Sequence, residues 1–401
     1  MIKMTGDKIM IVKPKIRGFI CTTSHPMGCF ANVKSQIDYV KSQPKLNGAK
    51  KVLVIGASMG YGLASRITAA YANDAATIGV IFDKQGDEKR TGTAGWYNTA
   101  AFEKLAHADG IYAKTINGDA FSEDIKKQTI DLIKKDLGKV DMVVYSLAAP
   151  RRTDTDGIVY NSVLKTIGEE YTNKTIDITK KSISEITISP ANDEEILHTV
   201  KVMGGEDWKL WIDALKSADA IEDDAITVAY SYIGPSITHP MYTNGTIGRA
   251  KEHLASTAKA ISSGGNIKAY VSVNKALVTQ SSSAIPIVPL YISILFKVMK
   301  EMGNHEGCIE QMYRLFGDKI LIPEVDSEGL IRLDDLEMQT DVQKRVLEIW
   351  DNINDDNLSD SADIDGYLHD FHELFGFGIE SVDYDADVPV NECIESIFTA
   401  K

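Results

Sequence analysis

The sequence predicts an α/β protein built on a doubly wound, mostly parallel sheet, and two observations carry that prediction. The first is a compact unit near the N-terminus. The apolar run Lys51-Val-Leu-Val-Ile55 leads into the turn Gly56-Ala-Ser-Met-Gly60-Tyr-Gly62, then a stretch rich in small residues (63–72), then a second apolar run, Ala76-Thr-Ile-Gly-Val-Ile-Phe82. Short apolar runs without polar alternation are what strands buried on both faces require, and small residues let a helix lie close against them. Residues 51–83 therefore form a βαβ unit. The second observation is that the alternation continues, with strands at 111–117, 140–147, 226–232 and 268–274 and helices at 97–108, 122–137 and 246–262. Regular alternation of this kind builds a parallel sheet that binds ligands beyond the carboxyl ends of its strands.

The remaining elements take their places around this frame. Residues 32–43 have an amphipathic helical pattern that ends at Pro44 and Asn47-Gly48. Residues 153–225 interrupt the alternation. Lys174-Thr-Ile-Asp-Ile-Thr179 and Ser184-Glu-Ile-Thr-Ile-Ser189 alternate apolar and polar residues as a half-exposed hairpin does, and a helix carrying Trp208 and Trp211 as packing anchors follows. Pro286 and Pro289 open an apolar helix near Tyr291–Met302. Residues 321–390 hold 20 Asp and Glu against Arg332, Lys344 and Arg345, so this segment alone exceeds the chain's net charge of −14. It also holds Trp350, Tyr367, Phe371, Phe375 and Phe377, which marks it as folded. The organisation expected is a dinucleotide-binding and catalytic domain over 1–320, with 153–225 inserted on the substrate side, and an acidic appendage over 321–401 packed on the same body. Met10 offers a second start, which would make residues 1–9 dispensable.

Bulk properties exclude several classes. The 401 residues contain no apolar run long enough for a membrane span and no signal-peptide pattern, so a cytoplasmic protein without a membrane partner is expected. The acidic balance argues against nucleic acid. Cys21, Cys29, Cys308 and Cys393 form no CxxC pair, and Cys21-x3-His25-x3-Cys29 has no second cluster to complete a zinc site, so no metal is expected. His369 and His372 read as surface or packing residues, and 361–372 lacks the acids of a calcium loop. A monomer is expected from the large self-contained chain.

The chemistry-bearing residues lie where strands give way to helices. Gly56 permits the tight turn, Gly60 lets backbone approach a pyrophosphate, and Gly62 lets the helix pack on the strand, the pattern of a Rossmann-type dinucleotide site. There is no Gly-x4-Gly-Lys-Ser/Thr of a P-loop. Asp83, closing the second strand, suits the two hydroxyls of an adenosine ribose and would repel a 2′-phosphate, favouring NADH over NADPH. Lys84, Lys89 and Arg90 lie close by. Gly118-Asp119-Ala120 follows the third strand, where adenine contacts are made. Tyr230, Tyr232 and Tyr242 are candidate acids, and Tyr242 is separated by eight residues from Lys251 on the following helix. A phenol can donate to a developing oxyanion, and a nearby ammonium can make it more acidic and hold a ribose. The short-chain dehydrogenases separate these two residues by three. Here Gly234, Ser236 and Thr246 stand at that spacing.

Five separated motifs then converge. Gly56-Ala-Ser-Met-Gly-Tyr-Gly-Leu-Ala-Ser-Arg66, Gly92-Thr-Ala-Gly-Trp-Tyr-Asn98, Tyr145-Ser-Leu-Ala-Ala-Pro-Arg-Arg152, Tyr242-x8-Lys251 and Val278-Thr-Gln-Ser-Ser-Ser-Ala-Ile-Pro286 resemble the trans-2-enoyl-CoA reductase family over nearly the whole chain from Met10. The family also includes long enoyl-acyl-carrier-protein reductases. The resemblance implies a short-chain-dehydrogenase-like fold and NADH-dependent reduction of the double bond of trans-2-enoyl-CoA in fatty acid or butyrate-type metabolism. It implies Tyr242 as proton donor, Lys251 as cofactor ligand and Tyr232 as contact to the substrate carbonyl. It places Gly56, Ala57, Ser58, Met59, Gly60 and Tyr61 around NADH, together with Phe82, Asp83, Asp119, Ala120, Leu147, Ala148, Leu277, Val278 and Thr279. The family often carries glutamate where this chain has Asp83. The C-terminal segment resembles a piece labelled flavin-binding, yet it shows no phosphate-binding turn, and NADH can deliver hydride directly. Rival readings are a short-chain ketoacyl reductase and an NADH-binding redox sensor.

Overall fold

The computed structural model describes residues 9–399 apart from 19 and 179. The suggested N-terminal extension therefore lies almost wholly outside the described residues, as does Thr179 of the expected hairpin. Eight strands form the central sheet: β1 (Lys51–Ile55), β2 (Ala76–Ile81), β3 (Ala113–Asn117), β4 (Val140–Tyr145), β5 (Ile221–Ser231), β6 (Lys268–Val273), β7 (Leu330–Arg332) and β8 (Ile397–Thr399). Their order is β7-β6-β5-β4-β1-β2-β3-β8, and every pairing is parallel. Strand order reverses between β1 and β4, which opens the crevice where a doubly wound sheet binds its ligand.

The sheet is buried on both faces because its strands are apolar on both. Val52 and Val54 face helices α1 (Pro26–Ser42), α2 (Gly60–Ala72), α3 (Ala94–Ala108) and α9 (Cys308–Arg314). Leu53 and Ile55 face α4 (Glu123–Asp136), α6 (Glu206–Ser217) and α7 (Thr246–Ser263). Helix α5 (Asp193–Met203) precedes α6 and carries a capping box, in which Asn192 and Glu195 satisfy each other's backbone donors. The two tryptophans are packing anchors, as expected. Trp208 and Trp211 are completely buried, and their indole N–H groups donate to Thr227 Oγ1 and the Ala120 carbonyl. Helix α6 thus belongs to the sheet's own covering layer. The hairpin pairs Tyr171–Asp177 with Ser182–Ile188.

Several element starts differ from the sequence expectation, and two short strands were not expected. Helix α1 starts at Pro26, six residues early, because His25 Nδ1 accepts the Gly28 N–H and Pro26 fills a first-turn position that needs no donor. This gives the Cys21-x3-His25-x3-Cys29 spacing a structural meaning: His25 caps a helix and Cys29 is buried within it. Strand β5 starts at Ile221; the acidic run Glu222-Asp-Asp224 hides its first residues, and its register with β4 shifts between Ile221 and Ile226. Strands β7 and β8, only three residues each, had no readable pattern, yet the C-terminal segment supplies both edges of the sheet.

A third core lies beside the sheet. Helix α8 (Val288–Met302) is buried from Val288 to Phe296 against α10 (Thr340–Asn352), the helix Ile364–Glu373 and the hairpin, and only its last turns, with Lys300 and Glu301, reach solvent. Here Val342, Val346, Trp350, Tyr367 and Phe371 pack with Leu277, Val278 and Met241, so the acidic segment reaches the carboxyl edge of the sheet. A second anchor holds its far end. Buried Arg66 pairs with buried Glu103 at 3.0 Å, and Glu103 also accepts from Thr115 and from the Ser396 hydroxyl beside β8.

Candidate active site

Apart from Tyr242 and Lys251, the predicted site residues follow the carboxyl ends of strands: Gly56 after β1, Phe82 and Asp83 after β2, Asp119 after β3, Leu147 after β4, Tyr232 after β5 and Leu277 after β6. The glycine turn has the geometry its spacing suggests. Gly56 has φ +83°, and a Cβ there would lie 2.1 Å from the Ser146 carbonyl oxygen across the crevice. A Cβ on Gly62 would lie 1.9 Å from the Gly56 carbonyl oxygen, so any side chain would push α2 off the turn. Gly60 has φ +52°, and its missing Cβ faces open space bounded by Thr279 at 4.0 Å. Met59 caps α2 with no side-chain hydrogen bond, so the first N–H groups of α2 meet no capping side chain. An uncapped helix start beside a glycine-lined gap fits a dinucleotide pyrophosphate.

Asp83 is held ready beside this gap. Its carboxylate accepts from Thr93 Oγ1 at 2.7 Å, and its backbone is clamped on both sides by Asn117. Burial pushes its carboxyl above the usual range, and the hydroxyls of Thr93 and Ser58 pull it back. Gly95, in the first turn of α3, leaves room for it: a Cβ there would sit 2.4 Å from both carboxylate oxygens. Neighbouring Phe82 is 78 % exposed, an aromatic face available at the rim. Asp119 caps its own turn by accepting the Phe121 N–H. Across the gap, Ser282 accepts the Thr279 N–H and donates to the Leu277 carbonyl, and Tyr367 from the acidic segment donates to Ser283, so the 277–283 loop is braced from two sides.

The three tyrosines separate cleanly. Tyr230 turns to the α2 side, where its hydroxyl bonds Ser65 at 2.5 Å. Tyr232 and Tyr242 meet edge to face with ring centroids 5.1 Å apart. Tyr232 donates to Glu337 Oε1 at 3.3 Å, while the Tyr242 hydroxyl makes no hydrogen bond among the described residues. The Tyr242 backbone is fixed: its N–H donates to Thr238, and its carbonyl accepts from Gly245 and Gly248. A Cβ on Gly248 would lie 1.7 Å from the Thr243 carbonyl oxygen. This folded-back turn accounts for the eight-residue gap. Tyr242 stands on the turn before α7, and Lys251 lies well inside that helix.

Lys251 reaches the end of β5, where its ammonium donates to the Tyr230 carbonyl at 2.9 Å. Burial lowers it to about 8. Burial also pushes the Tyr242 phenol up, with no offsetting cation. The acidifying pairing expected of Lys251 and Tyr242 is therefore not made in the chain alone, because the Tyr230 carbonyl engages the lysine. Sequence reasoning also missed Glu337, Lys275, Thr93 and Gly95, which surround the predicted residues. The Gly92-x2-Gly95 motif was the one available signal.

Among the described residues no group of three or more His, Cys, Asp or Glu could hold a metal ion. The acidic segment does not fit a flavin. Its cations are already paired, Arg332 with Asp334, Arg345 with Glu301 and Lys344 with Glu348. Asp341 and Asp365 occupy the first turns of its helices, where a pyrophosphate would need N–H groups free of negative charge.

Comparison with known proteins agrees with this geometry. Residues 11–88 match the family described as the NAD(P)H binding domain of trans-2-enoyl-CoA reductase, 90–321 match the trans-2-enoyl-CoA reductase catalytic region, and 325–388 match the enoyl reductase FAD binding domain. The chain is 59% identical to trans-2-enoyl-CoA reductase [NADH] of Ruminiclostridium cellulolyticum, over 97% of this chain and 100% of that one. It is 58% identical to enoyl-[acyl-carrier-protein] reductase [NADH] of Flavobacterium johnsoniae, over 97% and 100%. The fold superposes on the crystal structure of Treponema denticola trans-2-enoyl-CoA reductase in complex with NAD, with a TM-score of 0.92 and 50% identity, covering 96% of this chain and 100% of that one.

Proposed function

The chain belongs to the trans-2-enoyl-CoA reductase family, and from that premise we propose how its residues perform the reaction. It is an NADH-dependent oxidoreductase that reduces the carbon–carbon double bond of a trans-2-enoyl-CoA-type thioester. Bound NADH supplies the hydride, which adds at the β-carbon of the thioester.

The chain's own residues serve the rest of the chemistry. Gly56–Tyr61 and the start of α2 hold the pyrophosphate, and Asp83 accepts from the adenosine ribose. Phe82, Asp119-Ala120, Leu147-Ala148 and Leu277–Thr279 close the cofactor site. Lys251, at the end of β5, holds the nicotinamide ribose through its ammonium. As charge gathers on the thioester oxygen, a phenol already in place stabilises it without reorganisation. Tyr242 is the better donor, because its hydroxyl is uncommitted, while Tyr232 stands beside it tied to Glu337. The α-carbon then takes a proton. The observation that carries this reading is the juxtaposition of the unbonded Tyr242 hydroxyl with the Tyr232 ring, close to the end of β5 where Lys251 is anchored.

The test is NADH oxidation with crotonyl-CoA by wild type and Tyr242→Phe. Losing one preorganised donor lowers kcat on the order of 100-fold, with NADH affinity retained. Unchanged turnover would sink the assignment. An acyl-carrier-protein thioester is the second reading, favoured by the 58% identity to a reductase of that name. Comparing kcat/KM for the two carriers bearing one acyl group decides it. A monomer in the cytoplasm, with 1–320 catalytic and 321–401 as its acidic buttress, is the organisation we propose. The four free cysteines favour the location, and size-exclusion chromatography with light scattering tests the monomer.

A further inference from the structure

Glu337 is fully buried just after β7, in a segment whose other carboxylates mostly face solvent. Its Oε2 accepts the Ala276 N–H at 2.7 Å, a donor that can only donate. Its Oε1 faces two phenols, Tyr291 at 2.6 Å and Tyr232 at 3.3 Å. The Tyr291 oxygen accepts from Gln343 Nε2 at 3.2 Å, so Tyr291 keeps its own proton for Glu337. The Tyr232 proton then has two inward partners, Glu337 and the Tyr291 oxygen, and of these only Glu337 can change its protonation in the ordinary pH range. If Glu337 is a carboxylate, Tyr232 must donate inward. If Glu337 is a neutral acid, its O–H donates to the Tyr232 oxygen, and the Tyr232 proton turns outward toward Tyr242 and the substrate side.

We propose that Glu337 is the positioning residue of the reductase, setting through its protonation which way the Tyr232 hydroxyl donates. The inference rests on the role that the family resemblance implies for Tyr232, contact with the substrate carbonyl beside the Tyr242 donor. The groups facing Glu337 are Lys275 from the loop after β6, Tyr291 from α8, Tyr232 from the end of β5, Gln343 from α10, Tyr61 from α2 and Asp334 from its own strand end. Burial raises the Glu337 carboxyl and Asp334 adds to it, while Lys275, Tyr291 and the Ala276 N–H oppose. The neutral acid therefore persists above the ordinary carboxylate range and gives way to the carboxylate as pH rises.

The experiment is the pH profile of kcat and KM with crotonyl-CoA and NADH for wild type, Glu337→Gln, Glu337→Leu and Tyr232→Phe, and for both Glu337 variants combined with Tyr232→Phe. Glutamine can accept from Ala276 and donate to Tyr232, but it cannot ionise. Glu337→Gln should keep the kcat that wild type reaches at the acidic end of its profile and lose the fall expected of wild type as pH rises. Glu337→Leu should lower kcat on the order of 10-fold or more, the scale of a misplaced group, with KM for NADH within about twofold. In the Tyr232→Phe background both effects should vanish. Should Glu337→Leu fail to fold, the Glu337→Gln profile decides. An alkaline limb in Glu337→Gln matching wild type overturns the proposal, as do Glu337 effects that persist without the Tyr232 hydroxyl. Full turnover in Tyr232→Phe would instead remove the Tyr232 assignment itself, and the positioning role with it.

Discussion

Gly95→Ala tests the proposed ribose contact without touching the residue that makes it. The new methyl would sit 2.4 Å from both Asp83 carboxylate oxygens, closer than any real Cβ contact, so the carboxylate must turn. Asp83 is short and already tied to Thr93 and Ser58, so turning takes it out of line with the ribose hydroxyls. A hydrogen bond to a charged acceptor contributes about 1.5–3 kcal/mol, so losing one such contact weakens NADH binding roughly 10- to 150-fold. Folding should be nearly untouched. Gly95 lies in the first turn of α3, where alanine is the better helix former by up to about 1 kcal/mol, which offsets the local strain. The assay is a fluorescence titration of NADH alongside thermal unfolding, for Gly95→Ala, Asp83→Ala and the double variant. The double should bind no more weakly than Asp83→Ala alone. An NADH Kd within twofold of wild type in Gly95→Ala would refute the placement of Asp83 on the ribose.

Three further outcomes are expected. Lys251 is held at about 8 by burial, so its ammonium is lost as pH rises past that value, and KM for NADH should climb there; a Lys251→Arg variant should show no such climb. The same shift has a stability sign: the penalty for burying the charge is fully present below about 8 and is relieved as pH rises toward the unfolded value. Glu103→Leu leaves the Arg66 guanidinium buried without its partner and should lower the unfolding free energy by about 3–5 kcal/mol in urea titrations; a loss under about 1 kcal/mol would contradict the network. Gly62→Ala forces α2 away from Gly56, so it should lower both the melting temperature and NADH affinity, and loss of only one would mean the turn relaxes independently of the helix.

The sheet, its parallel sense and the carboxyl-end position of the site were legible because buried strands and small-residue helices leave strong local patterns. The glycine turn was legible for the same reason: each glycine answers a local steric demand. What escaped notice was non-local. Strands β7 and β8 are three residues each and exist because β6 and β3 offer them an edge. The first turn of α1 needs glycine at position 28 because Gly376 packs against it, a contact between chain segments far apart in sequence. Glu337 is one of 20 acids in its segment, and its burial beside Tyr232 is what distinguishes it from the mostly solvated others. The eight-residue spacing of Tyr242 and Lys251 set them apart from a three-residue pair, but gave no sign that Lys251 would rest on the Tyr230 carbonyl.

The origin of both sheet edges in the C-terminal segment has a consequence for how the protein is made. As the chain leaves the ribosome, β1 to β6 are available long before β7 and β8. Until those arrive, β3 and β6 present open backbone ladders, the kind of edge that pairs with neighbouring chains. The contacts that close them span most of the sequence, such as Ser396 with Glu103, which makes closure a late and slow event. Chains stalled or cut before β8 should therefore aggregate while their nucleotide-binding half is already formed, and chaperone dependence during synthesis should be set by the arrival of these few C-terminal residues.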